Sequence, residues 1–408
     1  MNNDPKNSSL KLKPFLYCLS LLITTLLAGC WDSAELQDIG IISGIGIDKG
    51  GETVESRYRV TVQIVNPPQV AGGQRGSTEQ ASPVRNYSST GSTVSEAIKS
   101  LPKKSGQLFL PHIQLMVIGE DLAQEGIQEV FDVIERDSEF RSLFPVLIVK
   151  GNTAEEALTI TTTLESIPSE KIVSSLKAAH KDLGDYYLTS ADNIIEKLRS
   201  GSLVIPGIII NGDIETGNKA DNMQQITPST GIEIEGLALF KKGRLESWLE
   251  QDASRGVTWV TDNINKTSIN LDCEGKKDMI SVEIVRAKTD IKVDDINRKP
   301  VINVFVRAEG EITEIQCPVN LAESKVIKKL EKQLANEIKK EVRAAVMAAK
   351  GDESDIFDFG ENINIADKKW WKRIEKEWEE EIFSETVVNV DVKSFIRRTG
   401  LRTKSKLT

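Results

Sequence analysis

The stretch IQLMVIGEDLAQEGIQEVFDVIERDSEFRSLFPVLIV, residues 113–149, sets two short apolar runs on either side of a helical pattern. The runs Ile113 to Ile118 and Val146 to Val149 are too short for helices and are rich in β-branched residues, which marks them as buried strands. Between them Ile127, Val130, Phe131 and Ile134 recur at i, i+3, i+4 and i+7, one face of an amphipathic helix. Strand, helix and strand in this order predict a β-α-β unit whose strands are parallel neighbours.

Upstream, Ile39 to Asp48 and Tyr58 to Val65 are two β-rich runs separated by Lys49-Gly50-Gly51, the pattern of a hairpin. Gly44 and Gly46 lie inside the first run. They do not begin a dinucleotide-binding fingerprint, because the next glycine is one residue late and a strand follows; a bulge or close packing accounts for them. Residues 66–91 are rich in Pro, Gly, Ser and Gln and poor in large apolar side chains, so a long mobile loop is expected. Thr93 and Glu96 have capping-box spacing and open a short helix that Pro102 limits.

Downstream, helices are expected from Thr153, with Glu156 as a second capping box, from Ser169 to Ala179 and from Ser190 to Leu198. Leu203 to Ile210 and Ile232 to Phe240 read as strands on either side of a polar loop, and Lys241 to Arg244 as a turn. Period-two alternation returns in Ser281 to Val285 and Val301 to Ile312. A long helix is expected from Ser324 to Lys350, with Ile327, Leu330, Leu334, Ile338, Val342, Ala345 and Ala349 on one stripe, lying across a sheet, and Gly351 as its C-cap. Thr386 to Val392 is a last strand before a basic tail, Arg397 to Lys406. The chain divides at these composition changes into 1–29, 30–91 (N-terminal strands and polar loop), 92–200 (an α/β domain with the β-α-β unit), 201–280 (β-rich) and 281–408 (sheet, long helix and final strand).

The N-terminus carries Lys11 and Lys13 ahead of an apolar run, Phe15 to Leu27, that is too short to span a bilayer comfortably. Leu27-Ala28-Gly29-Cys30 follows, similar to the lipobox of bacterial lipoproteins. On this reading 1–29 is a signal peptide and Cys30 becomes the first mature residue, carrying a diacylglyceryl thioether and an N-acyl chain such as palmitate. Two or three acyl chains give lasting attachment where one does not. The leader holds Lys6, Lys11 and Lys13 against Asp4; removing this net +2 from the formal −9 leaves −11. That charge argues against a general nucleic-acid binder.

Catalytic signals are sparse. The chain has 2 histidines, His112 and His180, without metal-ligand spacing around them, so no metal site is expected. Serine-hydrolase, P-loop and zincin motifs are absent, no cofactor is expected, and the chain reads as a non-enzyme. Of the 4 cysteines, Cys18 lies in the leader, and Cys273 and Cys317 are read as two inert thiols, with a single bridge as the alternative. Asp132, Glu135, Arg136, Asp137, Glu139 and Arg141 form a mixed-charge run; its plain reading is a solvated face, its functional reading a patch for a partner protein. Trp370, Trp371 and Trp378 are assigned to core packing, with a partner hot spot as the alternative.

Three stretches carry a resemblance: GCWDSAELQDIGIISGIGIDK (residues 29–49), FLPHIQLMVIGEDLAQEGIQEVFDVIERDSEFR (109–141) and WWKRIEKEWEEEIFSETVVNVDVKSFIRRTGL (370–401). Together they resemble the Ger(x)C family, the lipoprotein C subunit of spore germinant receptors. DIFDFGENI, from Asp355, looks like the family's Asp-Phe-Gly turn with a second glycine missing, and the polar stretch 66–91 is long. The resemblance implies an α+β fold of three mixed α/β domains, each a β-sheet with packed helices. It further implies a non-enzymatic subunit on the outer face of the spore inner membrane, held by membrane lipid through Cys30. Its partners there are a partly membrane-embedded A subunit and a transporter-like B subunit, and nutrient sensing leads to ion and dipicolinate release. A different role would be a solute-binding lipoprotein that captures the germinant; the chain lacks the two similar lobes usual for one. A cortex hydrolase is disfavoured, since no carboxylate pair stands out among 61 acids.

Overall fold

The computed structural model of the chain describes residue 17 and residues 39–66, 82–161, 165–219, 222, 225–296 and 299–398. Its fold is mixed α/β, with helices packed on two sheets. Strands β1 (Ile39–Lys49), β2 (Tyr58–Val65), β3 (Val84–Gly91), β4 (Gln107–Phe109), β5 (Leu115–Gly119), β6 (Val146–Val149), β7 (Ser202–Asn211), β8 (Gly231–Lys241) and β9 (Arg244–Leu249) make the first. Their order is β3-β2-β1-β5-β6-β7-β8-β9, with β4 beside β1. The centre β1, β5, β6, β7 is parallel, and antiparallel strands extend it on both sides.

The expected β-α-β unit is this centre. Met116 pairs with Val146 and Ile118 with Ile148 in parallel register, and helices α2 (Glu120–Glu125) and α3 (Gln128–Arg136) lie between the strands in sequence. Both faces are covered, which is why the runs are apolar without alternation. Met116, Ile118, Val146 and Ile148 share a core with Val130, Phe131 and Ile134 of α3. Leu115, Val117, Leu147 and Val149 point the other way, onto Leu158 and the helices α4 (Ala154–Ala157) and α5 (Pro168–Asp182). Each such side chain contributes about 1.5–3 kcal/mol through burial.

The hairpin β1–β2 forms as read, with a register shift between Ile42 and Gly44. A Cβ at Gly44 would stand 2.8 Å from the Ser169 Cβ, and one at Gly46 would stand 3.1 Å from the Ala154 Cβ, so these glycines admit α5 and α4 against the strand. The loop expected over 66–91 is corrected in part. Val84–Gly91 is strand β3, hydrogen-bonded along β2 with Val65 opposite Val84 and Tyr58 opposite Gly91. It is an edge strand, half-exposed, and Ser and Asn serve it where a central strand would need Val or Ile; residues 67–81 lie outside the described residues. Thr93 caps α1 (Val94–Ser100) by accepting from the Glu96 N–H, while the Glu96 carboxylate accepts from the Ser92 N–H. Pro102 starts a further turn instead of ending the helix outright. The polar loop after β7 contains a short helix, Ile214–Gly217, capped by Asp213.

The second sheet has the order β10-β11-β12-β13, from β10 (Thr267–Cys273), β11 (Lys276–Ile296), β12 (Lys299–Ile315) and β13 (Val387–Arg398). β12 and β13 are parallel. The strands assigned to segment 201–280 are shared out: β7, β8 and β9 complete the first sheet, and β10 opens the second. Helix α8 (Ser324–Gly351) buries Leu330, Leu334, Ile338, Val342, Ala345 and Ala349 on the second core, the expected stripe. Gly351 is its last residue and Asp352 its cap, one position beyond the expected C-cap. Helix α7 (Gln251–Val260) crosses α8 so closely that a Cβ on Gly256 would sit 2.1 Å from the Glu341 carbonyl oxygen. Leu237, Leu239 and Leu249 of the first sheet belong to the same core as Trp259 and the second sheet.

Cys273 and Cys317 are joined by a disulfide, which corrects the reading of two inert thiols. The loop closure at the far end of the β11–β12 hairpin brings together side chains 44 residues apart, a proximity that spacing does not reveal. Removing the bridge, with both cysteines replaced by serine, is expected to lower unfolding free energy by about 3 kcal/mol. Denaturant titration of the two proteins checks this; equal midpoints would refute it.

Candidate functional site

Ligands in parallel α/β sheets bind at the carboxyl ends of the strands. In this chain that edge is filled from within. Asp48, at the end of β1, accepts from the Ala154 N–H at 2.7 Å and the Glu155 N–H at 3.0 Å, tying α4 to the strand. Burial pushes its carboxyl up to about 6, and the two N–H donors pull against that rise. Glu120, after β5, accepts from the Gly151 N–H at 2.5 Å and from the Trp248 Nε1–H at 2.7 Å. Lys150 pairs with Glu250 and lies 5.2 Å from the centre of the Trp248 ring. Gly119 leaves room for this closure, since a Cβ there would be 2.2 Å from Asp48 Oδ1. Gly119→Ala is therefore expected to cost about 2 kcal/mol, as overpacking does; an unfolding midpoint equal to the parent's would contradict it.

Polar groups gather instead at the seam between the two sheets. Glu341 of α8 is 3% exposed and accepts from Arg255 Nε at 2.9 Å, from a second guanidinium N–H, and from the Trp259 Nε1–H at 2.7 Å. Asp185 stands 3.4 Å from the same guanidinium. Burial works against the Arg255 charge, yet Glu341 and Asp185 hold its pKa above the ordinary arginine value. Asp185 is itself raised by burial, with Arg255 pulling it down.

Farther along the seam Asp355 is a buried acceptor. Its Oδ1 takes the N–H groups of Phe357 and Phe359 at 3.3 and 3.1 Å, and its Oδ2 takes the Gly360 N–H at 2.7 Å and the Trp378 Nε1–H at 2.8 Å. Gly360 is required by the packing, because a Cβ would meet the Trp371 ring at 2.5 Å. Asp358 precedes helix α9 (Phe359–Ala366) with φ 58°, a left-handed conformation in which Asp is one of the tolerated residues. Its carboxylate pairs with Lys197 of helix α6 (Ala191–Ser200), and Lys242 pairs with Glu380, so ion pairs cross from the first sheet's elements to the C-terminal helices. A small cavity of about 250 Å³ remains beside Trp371 and Lys242.

The sequence-derived candidates are dispersed. Cys30 lies outside the described residues, as do the rest of 1–38 apart from residue 17 and the stretch beyond 398. His112 closes a 3-10 turn before β5 and approaches Gln114 at 3.3 Å; His180 Nδ1 is 2.9 Å from the Tyr186 carbonyl and its Nε2 3.0 Å from the Asn265 amide. Among the described residues no cluster of His, Cys, Asp or Glu has metal-ligand geometry, and no helix is long and apolar enough to cross a membrane. The mixed-charge run is on the surface, where Asp132 pairs with Arg136 and Glu135 with Arg199 of α6. Trp370 and Trp378 are buried, and Trp371 meets Trp378 edge-on with ring centres 5.9 Å apart, so the tryptophans are core. Arg397 reaches Glu309 at 3.2 Å and stacks over Phe395 at the end of β13.

Two hubs were missed, Glu341 and Asp355. Glu341 had a signal: a carboxylate three positions after Ile338, inside the apolar stripe of α8.

Comparison with known proteins accounts for this architecture. The family model described as spore germination protein N-terminal domain matches residues 32–210, and the one described as spore germination B3/GerAC like, C-terminal, matches residues 235–400. The spore germination protein KC of Bacillus subtilis (strain 168) is 35% identical over 396 residues, which cover 96% of this chain and 97% of the relative. The chain belongs to the spore germination B3/GerAC-like family. Spore germination protein B3 of the same organism is 25% identical over 90% of this chain and 92% of its own. The crystal structure of the GerBC protein shares the fold, with a TM-score of 0.54, 21% identity, and coverage of 86% of this chain and 97% of that one. This is the family to which the three quoted stretches pointed. One family model ends within β7 and the other begins within β8, adjacent antiparallel strands of one sheet, and the Asp-Phe-Gly turn of the family resemblance, residues 358–360, supplies two of the N–H groups that Asp355 accepts.

Proposed function

We propose that this chain is the lipid-anchored C subunit of a nutrient germinant receptor, a non-enzymatic scaffold for the A and B subunits on the outer face of the spore inner membrane. The observation that carries it is full-length similarity to a spore germination protein, 96% of one chain on 97% of the other, in a body whose strand-end edge is occupied by its own side chains. Such a body acts through its surfaces. Shared cores and ion pairs between the two sheets give it one shape to present, and confinement to a membrane raises the effective concentration of weak partners. The Leu-Ala-Gly-Cys sequence supports attachment at Cys30.

Cys30→Ala is expected to abolish membrane retention and to weaken germination through this receptor. Fractionation of spores and germination assays on the same strain check it; normal germination with the substituted protein free of membrane would overturn the proposal. Calorimetry with candidate nutrients separates scaffold from capture, since tight binding to the isolated subunit would favour capture.

A further inference from the structure

Strands β1, β5 and β6 are parallel, so their N-terminal ends share one edge of the first sheet. Ile39 begins β1 at that edge, beside β4, and stands nine positions after Cys30. Even fully extended, that tether spans only about 30 Å. The same edge carries an open groove of about 610 Å³ lined by His112, Arg141, Lys177, Leu143 and Leu188 among others. Its lining holds no Asp or Glu, although the chain as a whole has formal charge −9. The neighbouring groove is acidic on balance, with Glu135, Asp137, Asp192 and Glu196 against Arg199. Leu143 is 79% exposed, and it is held outward: Phe144 beside it is buried, and the Ser142 and Phe144 carbonyls accept from the N–H groups of Asp192 and Ala191. Phe109, opposite Ile41 at this edge, is 42% exposed.

We propose that this edge is a lipid-docking surface, on which Arg141 and Lys177 meet anionic headgroup phosphates while Leu143 and Leu188 enter the interface. Apolar side chains flanked by cations are what such a surface selects. The short tether from Cys30 brings this edge, before any other, to the bilayer; the inference rests on the acylation proposed above. Docking fixes the orientation of the whole body, with the acidic groove and the seam placed relative to the membrane.

The test uses the membrane-purified full chain in vesicles of phosphatidylglycerol and phosphatidylcholine, with an environment-sensitive fluorophore on Leu143→Cys. Met347→Cys on α8, 73% exposed, is the control. Lipids carrying a quencher are expected to quench the label at 143 several-fold more than the label at 347. Adding Arg141→Glu and Lys177→Glu is expected to lower the docked population about fivefold for each cation removed. Equal quenching at the two positions, or quenching at 143 that survives both charge reversals, would overturn the proposal. So would a response at 143 that arises only when the other receptor proteins share the vesicle, which would make the groove a protein-docking site. Mass spectrometry of Cys30 reports the anchor separately, so loss of acylation and loss of docking are told apart.

Discussion

Asp355→Ala is expected to lower the unfolding free energy by about 5 kcal/mol. The carboxylate satisfies four N–H donors at once, from Phe357, Phe359, Gly360 and Trp378. Removing it leaves them buried beside an empty space, and each buried unsatisfied donor costs about 1–3 kcal/mol, less than additively. Asp355→Asn keeps the shape but turns an amide N–H₂ toward donors, so most of the loss remains. Trp378→Phe removes one donor and keeps a ring, and about 1 kcal/mol is expected. Denaturant unfolding of the three variants measures the order; Asp355→Ala within 1 kcal/mol of the parent, an outcome far below the cited penalties, would sink the account.

The same group gives stability a pH dependence of definite sign. Burial pushes the Asp355 carboxyl up to about 6, while the N–H donors of Gly360, Trp378 and Phe359 hold it down. From a reference of 3.8, the native state therefore binds this proton more tightly than the unfolded chain does. Its contribution to stability is greatest at low pH, falls as pH rises from about 4 through about 6, and is flat above. Asp48 adds a slope of the same sign. Asp355→Asn removes one of the two, so the difference between parent and variant changes across that window and nowhere else.

Glu341→Ala is the second large effect, about 4 kcal/mol. The substitution strands the Trp259 indole N–H in the core where α7 crosses α8, and it takes the main partner from the Arg255 guanidinium, whose side chain is 23% exposed. Breaking a buried pair from one side is strongly destabilising because the remaining charge is left uncompensated. Asp185, at 3.4 Å, offsets part of that charge. Glu341→Gln preserves an acceptor for Trp259 and is expected to lose about half as much. A double-mutant cycle with Arg255→Met reads the coupling; additivity of the two changes would show that the pair contributes nothing.

These hubs mark the limit of what the sequence discloses. The β-α-β unit was legible because period and length coincide: four or five apolar residues, a helical stripe, and four more. The caps at Thr93 and Thr153 were legible because capping is local. β3 was not, since an edge strand half in water does not need apolar residues, and Arg85 to Thr90 resemble a loop. β10 alternates as Thr267, Ile269, Leu271 and Cys273 inward, a pattern the sequence does contain but that is short and flanked by polar turns. The disulfide and Asp355 depend on groups brought together from separate elements, which no local pattern encodes. The resemblance to a family identified the family; the seam, the closed strand-end edge and the basic groove came only from the fold.

The parallel pairing of β12 with β13 joins residues 86 apart, with α8 spanned between them. Until the ribosome has released the last strand, the C-terminal sheet lacks an edge and α8 has no complete bed. Leu237, Leu239 and Leu249, which share that core, lack their partners on a nascent chain until the second half has been made. Synthesis thus exposes a greasy seam for as long as the second half takes to emerge, and contacts so distant along the chain close slowly.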